Sequence, residues 1–289
     1  MKATQIAPDR LIKNSPFWLL AITSGLVAIY MTALWKSDDS AHLGMSALFF
    51  LGVGSMIWER RDTLNLESET IPTIVGLSIV GGLLTNSTNF APPDTINPFW
   101  RLYPFIAAVA LSLIASGFQG LKQYWRELTI LFFIGGPSVI ISSLMDISEI
   151  TAKFSTFMLW YMGFDVANQG VYVILPTGSV KVFGGCSGLE SITYVLGLAV
   201  MCMLMFPTKN KTHQYIVPIV GFIIGFIVNG FRVALMAILV AYSQPEAFDY
   251  WHEGDGSLIF GMIAVMIFGL FYMFLMKQDE NQHQEPENL

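Results

Sequence analysis

The sequence predicts an all-α polytopic membrane protein: about eight transmembrane helices, with a short extracytoplasmic interfacial helix and a β-hairpin between helices five and six. Three observations carry this expectation. Of 289 residues, 54% are hydrophobic and only 12% charged, where soluble domains run at roughly 25% charged. The apolar residues fall in blocks close to the 20 or so that a helix needs to cross the hydrocarbon. The basic residues, moreover, are distributed unevenly over the connections between those blocks.

The blocks lie at 17–35, 41–58, 71–86, 100–118, 127–145, 187–206, 215–242 and 257–276. The third is short and bounded by Pro72, and Gly135-Gly136-Pro137 predicts a kink within the fifth. Trp18, Trp35, Trp58, Trp100, Trp125 and Trp251 fall near block ends, where indole rings favour the headgroup layer. The first block lacks a small-residue cleavage site and is expected to stay as an anchor. A single integral membrane domain, 1–289, follows, with no internal repeat.

Orientation comes from the basic residues. With the N-terminus in the cytoplasm, the inner connections hold Lys2, Arg10, Lys13, Arg60, Arg61, Lys122, Arg126, Lys209, Lys211 and Lys277. The outer ones hold Lys36, Arg101, Lys153 and Lys181, and Arg232 lies within a span. Ten against four puts both termini inside: 1–16 as a cytoplasmic segment and 277–289 as a cytoplasmic tail, polar and disordered over 278–289. The net charge of −6 argues against nucleic-acid binding, which asks for a basic stripe. Two cysteines make neither a disulfide framework nor a four-cysteine metal site.

One connection, the extracytoplasmic 146–186, is long, and loops of that length are uncommon unless they carry function. Within it 151–164 is aromatic and too short to span, as an interfacial helix would be. The β-branched runs around Pro176-Thr177-Gly178-Ser179 then predict a hairpin.

Polar groups at membrane depth are costly, which directs attention to a few residues. Arg232 sits in the seventh block, nearly ten residues from its outer end, with Asn229 on the same helical face. The plain alternative is an arginine that snorkels outward or balances a carboxylate. Cys186 stands in Gly184-Gly185-Cys186-Ser187-Gly188-Leu189-Glu190. There Ser187 and Glu190 fit a capping box, and the helix N-terminus would favour the nucleophilic thiolate; the alternative is an inert apolar thiol. Cys202, 16 residues on and about 24 Å away along a helix, is expected to be core packing. His252 sits among Asp249, Glu253 and Asp255 on the same outer side as Cys186. One of those carboxylates could orient the imidazole as a third group, although a solvated acidic loop is the plainer reading. His42, His213 and His283 are expected to be solvated. No paired zinc-ligand spacing occurs, no glycine-rich phosphate loop with its lysine is present, and no metal or organic cofactor is expected.

Cys186-Ser-Gly-Leu, Asn229-x-x-Arg232 and His252-x-x-x-Gly256 follow one another in this order on outward-facing positions. This resembles the exosortase/archaeosortase family of polytopic membrane cysteine transpeptidases, over about 170–276; the earlier spans match only in number and hydropathy. The histidine in the third motif is similar to the bacterial exosortase branch, where archaeal members tend to use a second arginine. The cyanobacterial exosortases are one candidate subgroup. The resemblance implies a protein of the bacterial inner membrane with its active site on the extracytoplasmic face. Its partners would be the lipid bilayer, the C-terminal sorting signals of exported proteins (a Pro-Glu-Pro motif, a hydrophobic helix and a basic tail) and an acceptor nucleophile of unknown identity. It also implies Cys186 as nucleophile, Arg232 as the group that stabilises the oxyanion or positions the scissile carbonyl, and His252 as general acid/base. Ser187 and Glu190 of the expected cap and Asn229 on the arginine's helical face are expected to support them. The acidic run after His252 has no counterpart in the family pattern.

Two other classes compete. A membrane acyltransferase could use the same Cys-His pair and would trap a fatty acyl chain rather than a peptide. A transporter with a structural arginine would typically show inverted repeats and broken helices with polar groups at the midplane.

Overall fold

The computed structural model describes residues 15–37, 39–87, 98–252 and 254–284. Residues 1–14 of the expected cytoplasmic N-terminus, Glu253, residues 285–289 of the tail and the side chain of His283 lie outside the described part. The helices are α1 (Ser15–Lys36), α2 (Ser40–Glu59), α3 (Thr70–Ser87), α4 (Pro98–Gln123), α5 (Trp125–Phe132), α6 (Gly136–Ser142), α7 (Ser148–Tyr161), α8 (Leu189–Met205), α9 (Lys211–Ala241), α10 (Pro245–His252) and α11 (Asp255–Gln284). Between α7 and α8 come three strands, β1 (Ala167–Gln169), β2 (Tyr172–Leu175) and β3 (Gly178–Lys181).

The chain is thus an all-α polytopic membrane protein, but the span count differs from eight. Among the described residues six helices, α1 to α4, α9 and α11, are long and apolar enough to cross, and a seventh span results if the broken pair α5 and α6 is counted as one. The break falls at the predicted Gly135-Gly136-Pro137. The sixth predicted block yields only the 17-residue α8, because Ser187, Gly188 and Phe206 stay outside the helix. At 1.5 Å per residue that is about 26 Å, short of the roughly 30 Å of hydrocarbon.

The chain divides into two compact units, Met1–Ser37 with Val53–Phe132, and Asp38–Gly52 with Phe133–Leu289. In the first, α3 lies along α4. A Cβ at Gly76 would come within 2.7 Å of the Ala110 carbonyl oxygen, so glycine permits that approach. Tyr30 and Tyr103 stack at 5.6 Å, and Arg60 pairs with the buried Glu127. Gly117 turns left-handed at φ 64° and kinks α4.

In the second unit α9 is the spine, packed against α7, α8, α10, α11, β2 and β3. Gly225 brings α8 close: a Cβ there would lie 2.7 Å from the Ile192 Cα. β2 and β3 form the predicted hairpin, turning at Pro176-Thr177. β1 pairs antiparallel on the other side of β2; three residues with two polar amides gave no strand signal. Val173, Leu175 and Val182 face inward onto Val233, Ala234 and Ala237 of α9 and Ala152 and Leu159 of α7. α7 starts earlier than the predicted 151–164 and stops at Tyr161; two residues on, Gly163 takes φ 90°. Its other face exposes Ile150, Phe157, Trp160 and Tyr161.

Two expectations fail here. The acidic stretch before the last span is not a loop up to His252, because Pro245 opens the helix α10, in keeping with proline's preference for the first helical turn. The tail is not disordered from 278, because α11 continues to Gln284. Asp279 holds that end: it accepts from the Lys209 N–H at 3.2 Å and meets His213 Nδ1 at 3.0 Å. His213 is therefore buried rather than solvated.

Candidate active site

The predicted nucleophile, base and arginine meet in the second unit. A short 3-10 turn, Gly184–Cys186, carries the thiol. The Cys186 N–H donates to the Phe183 carbonyl at 2.8 Å, and the Ser187 hydroxyl donates to the Gly184 carbonyl at 2.7 Å. Gly188 follows with φ 93° and caps α8. The Cys186 Sγ, half-buried, lies 2.9 Å from His252 Nε2.

Three elements fix this pair. Asn229 of α9, 2% exposed, donates from Nδ2 to the Cys186 carbonyl at 3.1 Å. Arg232, one turn further along α9, donates from its guanidinium to the His252 carbonyl. Thr151 of α7 donates to the Ser187 carbonyl at 2.6 Å. The imidazole itself lies between rings: Phe248 stacks on it at 5.0 Å from the preceding turn of α10, and Phe183 meets it edge-on at 6.3 Å.

Several of these partners were not legible beforehand. Phe248 is four residues before His252 and would have been found had α10 been read as a helix. Thr151 and Phe183 come from the long loop, whose path no local pattern discloses. Asp249 is on α10, Asp255 accepts from Ser40 at 2.9 Å, and Glu253 is outside the described residues.

Glu190 is corrected. It forms no capping box with Ser187, because Gly188 rather than Ser187 is the N-cap residue. Instead its carboxylate accepts from the Tyr194 hydroxyl at 2.6 Å and lies 3.6 Å from His42 Nδ1. His42, 1% exposed, is likewise buried where a solvated ring was expected. Asp39, His42 and Glu190 bring one donor atom each within 4.8 Å of one another, a set that could hold a cation. The Tyr194 hydroxyl, which also meets His42 Nδ1, already links two of the three by hydrogen bonds.

Chemically, a thiol at hydrogen-bond distance from an imidazole is an activatable nucleophile. The Cys186 N–H is occupied within its own turn, and the Arg232 guanidinium is a charged donor held on the backbone of the base. Its five N–H groups exceed the one spent on His252.

The family model of the transmembrane exosortases matches residues 35–269, a stretch that contains all six predicted site residues. The match reaches the family and not a cyanobacterial subgroup. No curated protein and no solved structure matches the chain.

Proposed function

Because the chain belongs to the transmembrane exosortase family, we propose that it is a membrane-embedded cysteine endopeptidase and transpeptidase that cleaves C-terminal Pro-Glu-Pro sorting signals of exported proteins and passes them toward the cell surface. The observation that carries this reading is the 2.9 Å approach of Cys186 Sγ to His252 Nε2.

In the proposed cycle His252 takes the thiol proton, and the Cys186 sulfur attacks the scissile carbonyl. Negative charge develops on the carbonyl oxygen, and Arg232, which cannot lose its proton, stabilises it. His252 then protonates the leaving amine, and a thioester on Cys186 remains. An acceptor nucleophile, deprotonated by the same imidazole, attacks the thioester and restores the thiol. Arg232 has a second part, because its bond to the His252 carbonyl holds the base in register with the sulfur.

The site is assigned to the extracytoplasmic face of the bacterial inner membrane, with both termini inside. The ten-to-four distribution of basic residues supports this. α7 is assigned to the outer interface, where Phe157, Trp160 and Tyr161 meet the headgroups. The decisive experiment is mass spectrometry of the Cys186 adduct in cells that express a signal-bearing substrate. A peptide thioester is expected; a fatty acyl thioester would instead identify an acyltransferase.

A further inference from the structure

β3 is an edge strand. The sheet order is β1-β2-β3, and no strand among the described residues pairs with the far side of β3. The hydrogen bond from the Val182 N–H to the Val171 carbonyl, 2.9 Å, sets the alternation along it. Opposite residues in an antiparallel ladder alternate between exchanging both bonds and exchanging none. With Tyr172 opposite Lys181, Val173 opposite Val180 and Ile174 opposite Ser179, Val180 turns its N–H and C=O toward β2. Ser179 and Lys181 turn theirs to the open edge, and both residues are exposed.

This edge runs into the active site. Phe183, two residues past Lys181, meets the His252 ring, and its carbonyl accepts from the Cys186 N–H. A row of outward N–H and C=O groups is a template for an added strand. Lys181 is the one charged residue of β3, and its Nζ sits 6.0 Å from the Tyr172 ring. A residue directly opposite Lys181 on an added strand would place its side chain on the same face, where the complement is a carboxylate. The residues on either side of it would turn their N–H groups away from β3. Proline fits at those positions without the loss of a ladder bond.

We infer that the open edge of β3 is the docking strand for substrate, taking an extended segment whose acidic residue lies opposite Lys181 and whose neighbours tolerate proline. The inference rests on the peptide cleavage proposed above, whose Pro-Glu-Pro motif has this alternation. It goes further in naming the strand, the charged partner and the backbone groups that read the motif.

The test is cleavage kinetics of the purified full-length protein in liposomes with a synthetic signal peptide. Lys181→Glu should raise KM for the glutamate peptide at least about tenfold, from the like-charge pair, with little change in kcat. A peptide with lysine in place of the motif glutamate should recover most of that loss, which also shows that the variant folds. N-methylation of the glutamate amide should cost wild type about five- to tenfold, one hydrogen bond's worth. An unchanged KM for Lys181→Glu, or no recovery by the lysine peptide, overturns the docking strand. If wild type still cleaves and Cys186→Ala does not, the proposed function survives that failure. A wild-type protein that cleaves no signal peptide overturns both.

Discussion

A thiol becomes a useful nucleophile where a base can take its proton, and of the two cysteines Cys186 has His252 Nε2 at 2.9 Å. Cys202 lies on α8 among apolar neighbours, half a helix or more from the site. Cys186→Ala should therefore abolish cleavage with the protein still inserted, and Cys202→Ala should cleave within a factor of a few of wild type. Immunoblots of a signal-bearing substrate measure both; an inactive Cys202→Ala beside an active Cys186→Ala would overturn the assignment. Gly188 gives a finer residue-scale test. It sits at φ 93°, and a Cβ there would lie 2.6 Å from Asn229 Nδ2, the atom that holds the Cys186 carbonyl. Gly188→Ala must pay the left-handed strain of about 1–2 kcal/mol and also push Asn229 aside. Cleavage should fall at least about tenfold, more than Asn229→Ala alone, because both the turn and its tether move. Single-turnover assays on the two variants decide this, and a Gly188→Ala enzyme as fast as wild type would show that the turn need not keep its shape.

At the scale of elements, α9 brings Asn229 and Arg232 to the site one turn apart, so a change to either reaches both the nucleophile's turn and the base. Lysine in place of Arg232 keeps the charge but loses the planar fork, with which the proposed cycle has it hold the His252 carbonyl and face an oxyanion together. Arg232→Lys should insert normally and lose at least about a hundredfold in single-turnover rate, the usual loss for one oxyanion donor. A rate within a factor of a few of wild type would leave Arg232 a structural charge. The elements also explain what could be read in advance. The eight apolar blocks all became helical, because hydropathy is a sum over many residues and survives local error. Cys186, Arg232 and His252 were legible as costly or oddly placed polar residues. Phe248, Thr151 and the Tyr194–Glu190–His42 chain were not, because each depends on a contact between elements that no local pattern encodes. The capping box failed for a local reason: Ser187-x-x-Glu190 fitted the pattern, but the intervening Gly188 could adopt φ 93° and take the cap position.

At the scale of the whole molecule, the proposed cycle requires the chemistry to sit on the face where exported proteins emerge. Two exposed positions in the second unit test this directly. Ser179 lies on β3, in the hairpin that leads to Cys186, and Lys209 lies in the connection held by Asp279 of α11. That second end also joins Tyr272 to Phe206, at 2.6 Å. Ten basic residues on the expected inner connections against four on the outer predict Lys209 inside and Ser179 outside. In a background with both native cysteines replaced by alanine, Ser179→Cys should react with a membrane-impermeant maleimide in intact spheroplasts. Lys209→Cys should react only after permeabilisation. Because both side chains are exposed, burial does not account for a difference in labelling between them, and the bilayer is the remaining barrier. Labelling of Lys209→Cys in intact cells with Ser179→Cys protected would invert the protein. Cys186 and His252 would then face the cytoplasm, where an exported substrate's signal could be met only before translocation, and the sorting reaction in the form proposed would fall.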